Sequence, residues 1–483
     1  MKTAFKAAYS AAFIAVCMLP LALKPFAGSN ENIEKKSNTA FPQLWKDGAV
    51  NTDFSADCES WLNENLPYRS EFLSAAGFTK GELLHSPVSN VICGQDGWLF
   101  FTDEQADFMN TNALTDAQLR AVSVTLSLVE EQVRASGGRF LFVPMPNKST
   151  VYPEKMPSCY QQAEENNLSR LTAQLAADRV SFLDMKQLMT LNKSTGVYHK
   201  RDTHWNYLGA LIGYNAIMDA LGAPHQTYEG TDFLYRRAWR GDLDKLLYPS
   251  GGFLDDQYYF QIAYQPFRFV GRTKEKDPLK QLEIYMSDKE DNDMRIVTQS
   301  LGSPQNDRLY MVRDSFGRAL LPFMIDNYKN ASFVRTNCPD LTQIVSGTDV
   351  VYEIVERNLK NVTDTAPYMY APQRQVLPHD AYTDGGQTDA VCEDAGYAVR
   401  IYGSLPADAA SDDGRVYVQL QNESESCLFE AFPVCEQSFA EKGAECGFSM
   451  YLKPESGLSG DYQVKIFTGT TQFSAGNIHI NAE

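Results

Sequence analysis

The sequence predicts an α/β domain with a mostly parallel sheet flanked by helices, followed by a C-terminal all-β sandwich domain. Apolar strands alternate with amphipathic helices between residues 115 and 355, a Pro- and Gly-containing stretch follows, and short alternating polar and apolar runs occupy the rest. Strands that alternate with helices at this spacing form parallel sheets covered on both faces. Short alternating strands separated by turn residues are typical of β-sandwiches.

The N-terminus has the pattern of an export signal. Lys2 and Lys6 precede an apolar run that Lys24 closes. A basic segment followed by an apolar one directs export, and a run of about 17 residues is at the lower limit for spanning a bilayer. We therefore predict residues 1–27 to be a signal peptide or a membrane anchor. The remaining chain is expected outside the cytoplasm, either anchored to the cell membrane or secreted or periplasmic.

The charge balance argues against a nucleic-acid partner. The chain has 61 acidic and 43 basic side chains, a formal net charge of -18. Proteins that bind nucleic acid meet the phosphates with clustered Lys and Arg, which a strongly acidic surface opposes. Net charge says little about fold, so the positive evidence must come from motifs.

Residues 28–370 are predicted to form the α/β domain. Thr115 is placed to cap a helix that Gly137 ends, and Phe140–Pro144 follows as a buried strand. A later strand, Leu309–Val312, ends just before Ser315. Residues 226–300 interrupt the alternation, and we interpret them as an insertion near the active-site face.

The C-terminal region has a different pattern. Pro367, Pro372 and Pro378, with Gly385 and Gly386, mark a linker. Residues 386–483 then alternate apolar and polar side chains in short runs, which predicts the sandwich domain.

Asp202 and His204 form the first candidate catalytic element, in a turn before a predicted helix. A carboxylate close to a histidine can orient the imidazole so that its other nitrogen acts as a base. Two alternatives stay open from these residues alone. Asp202 or Thr203 could be a helix cap beside a packed histidine, or His199, Asp202 and His204 could be metal ligands, although three ligands do not define a site.

Ser315 is the second candidate element, because an apolar strand delivers it to a turn that contains Gly317. Ligands and nucleophiles of open α/β sheets lie at the carboxyl ends of the strands. A following helix would direct backbone N–H groups at a developing oxyanion. The alternative is an ordinary turn in which Asp314 or Ser315 caps the helix.

Together, the two elements resemble the DHHW and alginate O-acetyltransferase group of SGNH-like proteins over about residues 28–365. The resemblance rests on motifs that occur in order: Glu31–Asn32, Asn65–Arg69, Gly94–Phe101, Pro146–Lys148, Asp202–Asn206, Gly209–Ala210, Gly241–Leu243, Arg313–Gly317 and Glu356–Arg357. It implies an SGNH-like, flavodoxin-like fold. By analogy with this group, residues 386–483 are a candidate carbohydrate-binding domain.

The resemblance also implies roles. Ser315 resembles the nucleophile, His204 its base, and Asp202 the residue that orients the base. The N–H of Ser315 or Phe316 is the expected oxyanion donor. Further candidates to line the pocket are Arg313, Asn147 and Lys148. Neither a metal nor a cofactor is expected.

The function that the resemblance implies is transfer of an O-acyl group, most simply acetyl, to hydroxyls of a cell-surface or exported polysaccharide. The implied partners are the polysaccharide, a membrane-bound O-acyltransferase that supplies acyl groups, and the membrane itself through the N-terminal segment. Two alternatives remain: a polysaccharide acetylesterase with the same triad, and a non-catalytic glycan-binding or assembly protein.

Overall fold

A computed structural model describes residues 6–11, 13–15, 18, 41–46, 48–66, 68–287, 293–342, 344–396, 398–406, 409, 413–435 and 446–481. The chain divides into two compact units. The first comprises Met1–Thr102, Lys200–Thr203 and Arg237–Asp255, and the second Asp103–His199, His204–Arg236 and Asp256–Glu483. The predicted leader lies largely outside the described residues. Within those residues, no helix has the length and apolar character needed to cross a bilayer.

The first unit is a small assembly of helices and two-stranded sheets. Its elements are β1 (Trp45–Lys46), β2 (Ala49–Val50), α1 (Phe54–Asn65), α2 (Arg69–Gly77), a π-helix (Phe78–Leu83), β3 (Val91–Cys93), a 3-10 turn (Gln95–Gly97), β4 (Leu99–Phe101) and the helix Asp242–Leu247. Strands β3 and β4 pair antiparallel. Leu243 and Leu247 pack on Val91 and Leu99 in one apolar cluster, which fixes the helix Asp242–Leu247 on this hairpin.

The first part of the second unit contains eight helices and eight strands among its described residues. The helices are α3 (Asp103–Phe108), α4 (Asp116–Ala135), α5 (Lys148–Val151), α6 (Asn167–Ala177), α7 (Met185–Asn192), α8 (Tyr207–Leu221), α9 (Pro278–Met286) and α10 (Leu321–Met324). The strands are β5 (Phe140–Met145), β6 (Phe233–Trp239), β7 (Asp255–Phe260), β8 (Phe267–Phe269), β9 (Arg295–Ser300), β10 (Asn306–Arg313), β11 (Tyr328–Arg335) and β12 (Thr348–Val355). Four 3-10 turns, Pro153–Lys155, Lys193–Thr195, Phe316–Leu320 and Glu356–Val362, complete it.

The main sheet is mixed, and the predicted parallel arrangement is present in four of its six strands. Its strand order is β5-β12-β10-β11-β9-β8. The first four strands run parallel, whereas β9 and β8 are antiparallel to their neighbours. Both antiparallel strands come from residues 226–300, so part of the stretch interpreted as an insertion extends the sheet. Strand β10, which leads to Ser315, lies between two parallel strands.

Helices flank this sheet. Thr115 caps α4 through a capping box with Gln118, as the sequence predicts. The apolar side of α4 packs with α6 onto Phe140, Phe142 and Val350. Helix α8 begins after Asn206, whose side chain accepts a hydrogen bond from the Gly209 N–H at 3.0 Å, and it contacts β5. The helix that begins after His204 is therefore held against a strand of the main sheet.

The C-terminal region is rich in strands, but they do not form the two separate sheets of a sandwich. Its strands are β13 (Gln373–Arg374), β14 (Thr383–Gln387), β15 (Val391–Asp394), β16 (Val399–Ser404), β17 (Val416–Gln421), β18 (Ser426–Val434), β19 (Gly447–Leu452), β20 (Gly460–Thr468) and β21 (Thr471–Ile480). They form one curled sheet of order β14-β21-β20-β17-β18-β19-β16-β15, with β13 paired to β18. Strand β18 makes the sheet continuous, because Ser426–Ala431 pairs with β17 and Phe432–Val434 with β19.

Candidate functional site

Ser315 lies two residues beyond the end of strand β10. It adopts φ -70° and ψ -24° and immediately precedes the 3-10 turn Phe316–Leu320. Ser315 is partly exposed, whereas Arg313 and Phe316 around it are buried. The serine therefore occupies the carboxyl end of a central parallel strand, the edge at which α/β proteins present reactive groups.

The side chain of Asp314 sets the backbone around Ser315. Its Oδ1 accepts a hydrogen bond from the Phe316 N–H at 2.8 Å, and its Oδ2 accepts one from the Val355 N–H at 2.8 Å. The Asp314 N–H donates in turn to Glu353 at 3.1 Å. Because Phe316 N–H is already bonded to Asp314, it is a poor oxyanion donor in this conformation, and the Ser315 N–H is the better of the two expected donors.

A buried carboxyl group lies beneath this turn. Glu353 is 1% exposed, and burial, followed by the charge of Asp314, raises the pKa of its carboxyl group well above the usual range. A Cβ at Gly317 would lie 2.6 Å from Glu353 Oε2 and 2.7 Å from Arg313 Cβ. Only glycine fits at this position of the turn, because any side chain would meet both neighbours.

His204 lies beside the residue that follows the serine. Its ring centroid is 4.9 Å from that of Phe316, and the side chain is partly exposed. Trp205 is 2% exposed and donates from Nε1 to the Phe316 carbonyl oxygen at 3.0 Å. Trp205 is thus a packing residue that ties the histidine motif to the serine turn.

The loop that contains the D-x-H motif is closed at its base. The His199 N–H donates to the His204 carbonyl oxygen at 3.3 Å, and the Asn206 N–H donates to that of Val197 at 3.0 Å. Gln257 is fully buried. Its Oε1 accepts from the Tyr207 N–H at 3.0 Å, and its Nε2 lies 3.1 Å from His199 Nε2. These hydrogen bonds hold both ends of the loop and so fix the position of His204.

Asp202 is held within the first unit. Its Oδ2 accepts hydrogen bonds from Trp239 Nε1 at 2.9 Å and from the Asp242 N–H at 3.0 Å. Asp242 in turn accepts from the Thr203 N–H at 2.8 Å. A Cβ at Gly241 would lie 2.1 Å from the Arg201 carbonyl oxygen, so only glycine fits at this position. Asp202 is therefore a fixed, buried carboxylate and not a solvent-exposed helix cap.

The residues expected to line a pocket are buried. Asn147 and Lys148 have no exposed surface, and Arg313 is 2% exposed. Lys148 Nζ donates to the His199 carbonyl oxygen at 3.3 Å. Arg313 donates to the Asp314 carbonyl oxygen at 2.9 Å and forms an ion pair with Asp293. These contacts support neighbouring segments, and the expected lining role of the three residues stays a prediction.

Asn147 also connects the end of β5 with the segment after β12. Its N–H donates to Glu356 Oε2 at 2.8 Å, and its Nδ2 donates to Asp107 at 2.9 Å. Burial, with a smaller contribution from Asp107, raises the pKa of Glu356 to about 8. Arg357 lies with its guanidinium 5.6 Å from the Phe316 ring centroid.

Sequence reasoning missed the partners of these residues. Trp239, Asp242, Glu353, Glu356 and Arg357 all lie in the networks described above, and none was assigned a role. Gly241–Leu243 and Glu356–Arg357 were recognised as motifs, which was the available signal. Trp239 and Glu353 had no local signal, because each acts on a residue 37 or 39 positions away.

Comparisons with known proteins agree with these motifs. Residues 91–255 match the family model described as "SGNH hydrolase-like domain, acetyltransferase AlgX". The "Probable alginate O-acetylase AlgJ" of Pseudomonas aeruginosa is 28% identical over 207 residues, which cover 41% of this chain and 49% of that protein. The chain thus matches about half the length of this curated relative.

Two solved structures are similar at low sequence identity. A DHHW family protein from Eubacterium siraeum is 14% identical with a TM-score of 0.42, and the match covers 56% of this chain and 93% of that one. PatB1 of Bacillus cereus is 19% identical with a TM-score of 0.42, covering 55% and 95%. The resemblance expected from the motifs is confirmed, because residues 91–255 are similar to the SGNH hydrolase-like domain of this acetyltransferase family model.

Proposed function

We propose that this chain transfers an O-acyl group, most simply acetyl, to hydroxyls of an extracytoplasmic polysaccharide through an acyl-enzyme on Ser315. One observation carries the proposal. Ser315 follows the central parallel strand β10, and the ring of its neighbour Phe316 lies 4.9 Å from the ring of His204. Ser315 and His204 are both partly exposed and both adjoin Phe316. This supports a hydrogen bond between the serine hydroxyl and the imidazole during the reaction, as a nucleophile and its base require.

The reaction has two half-reactions. Ser315 Oγ attacks the acyl carbonyl while His204 accepts its proton. The tetrahedral intermediate then expels the donor's leaving group, which takes that proton and leaves the acyl ester on Ser315. In the second half, a sugar hydroxyl attacks the acyl-enzyme, His204 accepts the hydroxyl proton, and Ser315 leaves with a proton from His204. In this scheme Asp202 stabilises and orients the imidazole, and the Ser315 N–H stabilises the oxyanion.

The polysaccharide acceptor follows from the curated relative, whose name describes an alginate O-acetylase. From the resemblance of the motifs to this family, we also propose that a membrane-bound O-acyltransferase supplies the acyl groups and that the chain acts outside the cytoplasm, anchored by residues 1–27 or released. Acetyl-CoA is a cytoplasmic donor, so a membrane relay would be needed outside. The C-terminal curled sheet is proposed to assist in holding the glycan.

The test measures acetyl release and acetyl transfer separately. The protein is incubated with p-nitrophenyl acetate, with and without an acceptor oligosaccharide, and nitrophenolate, acetate and acetylated sugar are quantified. We expect Ser315→Ala to lower the rate by at least about 10³-fold, because removing a nucleophile removes the acyl-enzyme route. Acetylated sugar supports transfer, whereas acetate alone identifies an acetylesterase. Equal rates for the wild type and Ser315→Ala would rule out the acyl-enzyme and favour the alternative of a non-catalytic glycan-binding protein.

A further inference from the structure

A groove lies on one face of the main sheet, and its lining includes no residue of the turn that carries Ser315. Its cavity volume is about 290 Å³. Strands β9, β10 and β11 form its floor, and the segment from Thr336 to Thr348 forms its wall. The lining residues are Arg295, Arg308, Leu309, Tyr310, Asn330, Ser332, Val334, Thr336, Cys338, Asp340, Ile344, Val345 and Thr348. We call this cavity the sheet-face groove.

The floor of the sheet-face groove is polar because of the alternation along its strands. In β10, Leu309 and Met311 are buried, whereas Arg308 and Tyr310 on the other face are partly exposed. In β11, Ala331 and Phe333 are buried, whereas Asn330, Ser332 and Val334 are partly exposed. Neighbouring side chains in a strand point to opposite faces, so the second set shares one accessible face of the sheet.

The strand register orders these side chains into rows. Asn330 is paired with Arg308 on β10 and with Gln299 on β9. Ser332 is paired with Tyr310, and Val334 with Arg295. The two arginines therefore lie at opposite corners of the floor, two strands and two rows apart. Strand spacing and rise put their Cα atoms about 16 Å apart, with Ser332 between them.

The charges of the groove differ from those of the whole chain. Its lining has two arginines and one aspartate, Asp340, although the chain as a whole has a net charge of -18. Arg308 is also 3.4 Å from Asp307, and its side chain remains 39% exposed. Guanidinium groups at both ends of a polar floor match a ligand with anionic groups at intervals and hydroxyls between them.

A second depression continues the groove beyond Ile344. It has a volume of about 120 Å³ and is lined in part by Tyr370 and Lys453. Ile344 lines both cavities, and Lys453 Nζ lies 5.4 Å from the Tyr370 ring centroid. An elongated ligand that leaves the floor past Ile344 would thus meet another cation and another aromatic ring.

We propose that the sheet-face groove binds an anionic oligosaccharide, with Arg295 and Arg308 pairing with its carboxylates and Asn330 and Ser332 bonding its hydroxyls. The choice of a glycan as ligand rests on the proposed function, whereas the binding residues are separate from those around Ser315. The groove holds the polymer without taking part in acyl transfer. Its effect is to keep a long glycan on the protein between successive transfers.

The test uses isothermal titration of the full chain with a galacturonate hexamer at low salt. The neutral comparison ligand is the same hexamer after reduction of its carboxylates to hydroxymethyl groups. We expect the variant Arg295→Gln/Arg308→Gln to bind the anionic hexamer at least about 10-fold more weakly, since charge-assisted hydrogen bonds are lost. Arg134→Gln/Arg179→Gln is the matched control, because both arginines are exposed outside the groove and the pair removes the same two positive charges.

Each outcome has a distinct meaning. Unchanged affinity of the double variant for the anionic hexamer would show that the sheet-face groove is not its binding site. Equal affinity of the wild type for the anionic and the reduced hexamer would show that the ligand need not be anionic. Hydrolysis of p-nitrophenyl acetate should be the same in wild type and double variant, which also shows that the variant is folded. If Ser315→Ala leaves ester hydrolysis unchanged while the groove variant loses binding, the proposed function is wrong but oligosaccharide binding in the groove is supported.

Discussion

The carboxyl edge of the main sheet and the core of the curled C-terminal sheet differ in what they bury. At the sheet edge, Asn147, Lys148, Arg313, Glu353 and Glu356 are all at most 2% exposed. The C-terminal core is an apolar cluster that includes Val418, Leu420, Phe448, Val464 and Ile466. Its buried acid, Glu430, is paired with both Arg374 and Arg415.

This difference shows that the sheet edge, and not the C-terminal core, contains buried groups that lower the stability of the fold. A buried carboxyl group with a raised pKa loses hydration that its contacts only partly replace. Such groups concentrate around the turn that carries Ser315 and around the segment that follows β12. The C-terminal core follows ordinary packing rules, so substitutions in the two regions should separate activity from stability.

The largest expected effect comes from the sheet edge. His204→Ala should lower kcat for p-nitrophenyl acetate by about 10² to 10⁴-fold, because the proposed general base is lost. The midpoint of thermal unfolding should change little, since the side chain is partly exposed. Stopped-flow kinetics and a thermal melt measure the two quantities. Normal kcat in a folded variant would remove His204 from the mechanism.

A substitution in the C-terminal core should have the opposite signature. Ile466 is fully buried, and Ile466→Ala should lower the free energy of unfolding by about 2 to 5 kcal/mol through lost burial and the cavity left behind. Below the melting transition, kcat for the small ester should equal that of wild type. Chemical denaturation and ester kinetics on the same sample check this, and an equal loss of kcat would show that the regions are coupled.

The smallest expected effect is on the pH dependence of stability. The folded pKa of Glu356 is raised to about 8, so the folded state binds more protons than the unfolded state between about pH 5 and 8, and stability falls as pH rises. The contribution is at most about 1.4 kcal/mol per pH unit. Glu356→Gln should flatten this slope.

Melting temperatures from pH 5.5 to 8.5 measure that slope. Glu229→Gln, at an exposed position, is the control and should keep the wild-type slope. Glu353 also has a raised pKa, so some slope should remain in Glu356→Gln. An unchanged slope would mean that Glu356 ionises as easily in the folded as in the unfolded chain.

Local patterns predicted much of the fold. The cap at Thr115, the strand that begins at Phe140 and the helix that follows the D-x-H turn depend on neighbours within a few residues, and the structure has all three. The direction of β8 and β9 was not predictable, because strand pairing joins distant segments and β8 has only three residues.

The site divides in the same way. The positions of Ser315 after β10 and His204 before α8 follow from local pattern and from the family motifs. The hydrogen bond from the Phe316 N–H to Asp314 agrees with the alternative in which Asp314 caps the turn, whereas the bond from the Val355 N–H, 41 residues away, has no local signal. The bonds from Trp239 and Asp242 to Asp202 join positions 37 and 40 residues apart, which spacing alone does not reveal.

Covalent labelling tests the nucleophile most directly. The full chain is treated with phenylmethylsulfonyl fluoride, which sulfonylates activated serines, and the modified peptide is identified by mass spectrometry. We expect the wild type to give one adduct, on the peptide containing Ser315. His204→Ala should be labelled slowly, and Ser315→Ala should have no adduct at that site. Labelling of another serine with Ser315 unmodified, or equal labelling rates in wild type and His204→Ala, would contradict this expectation.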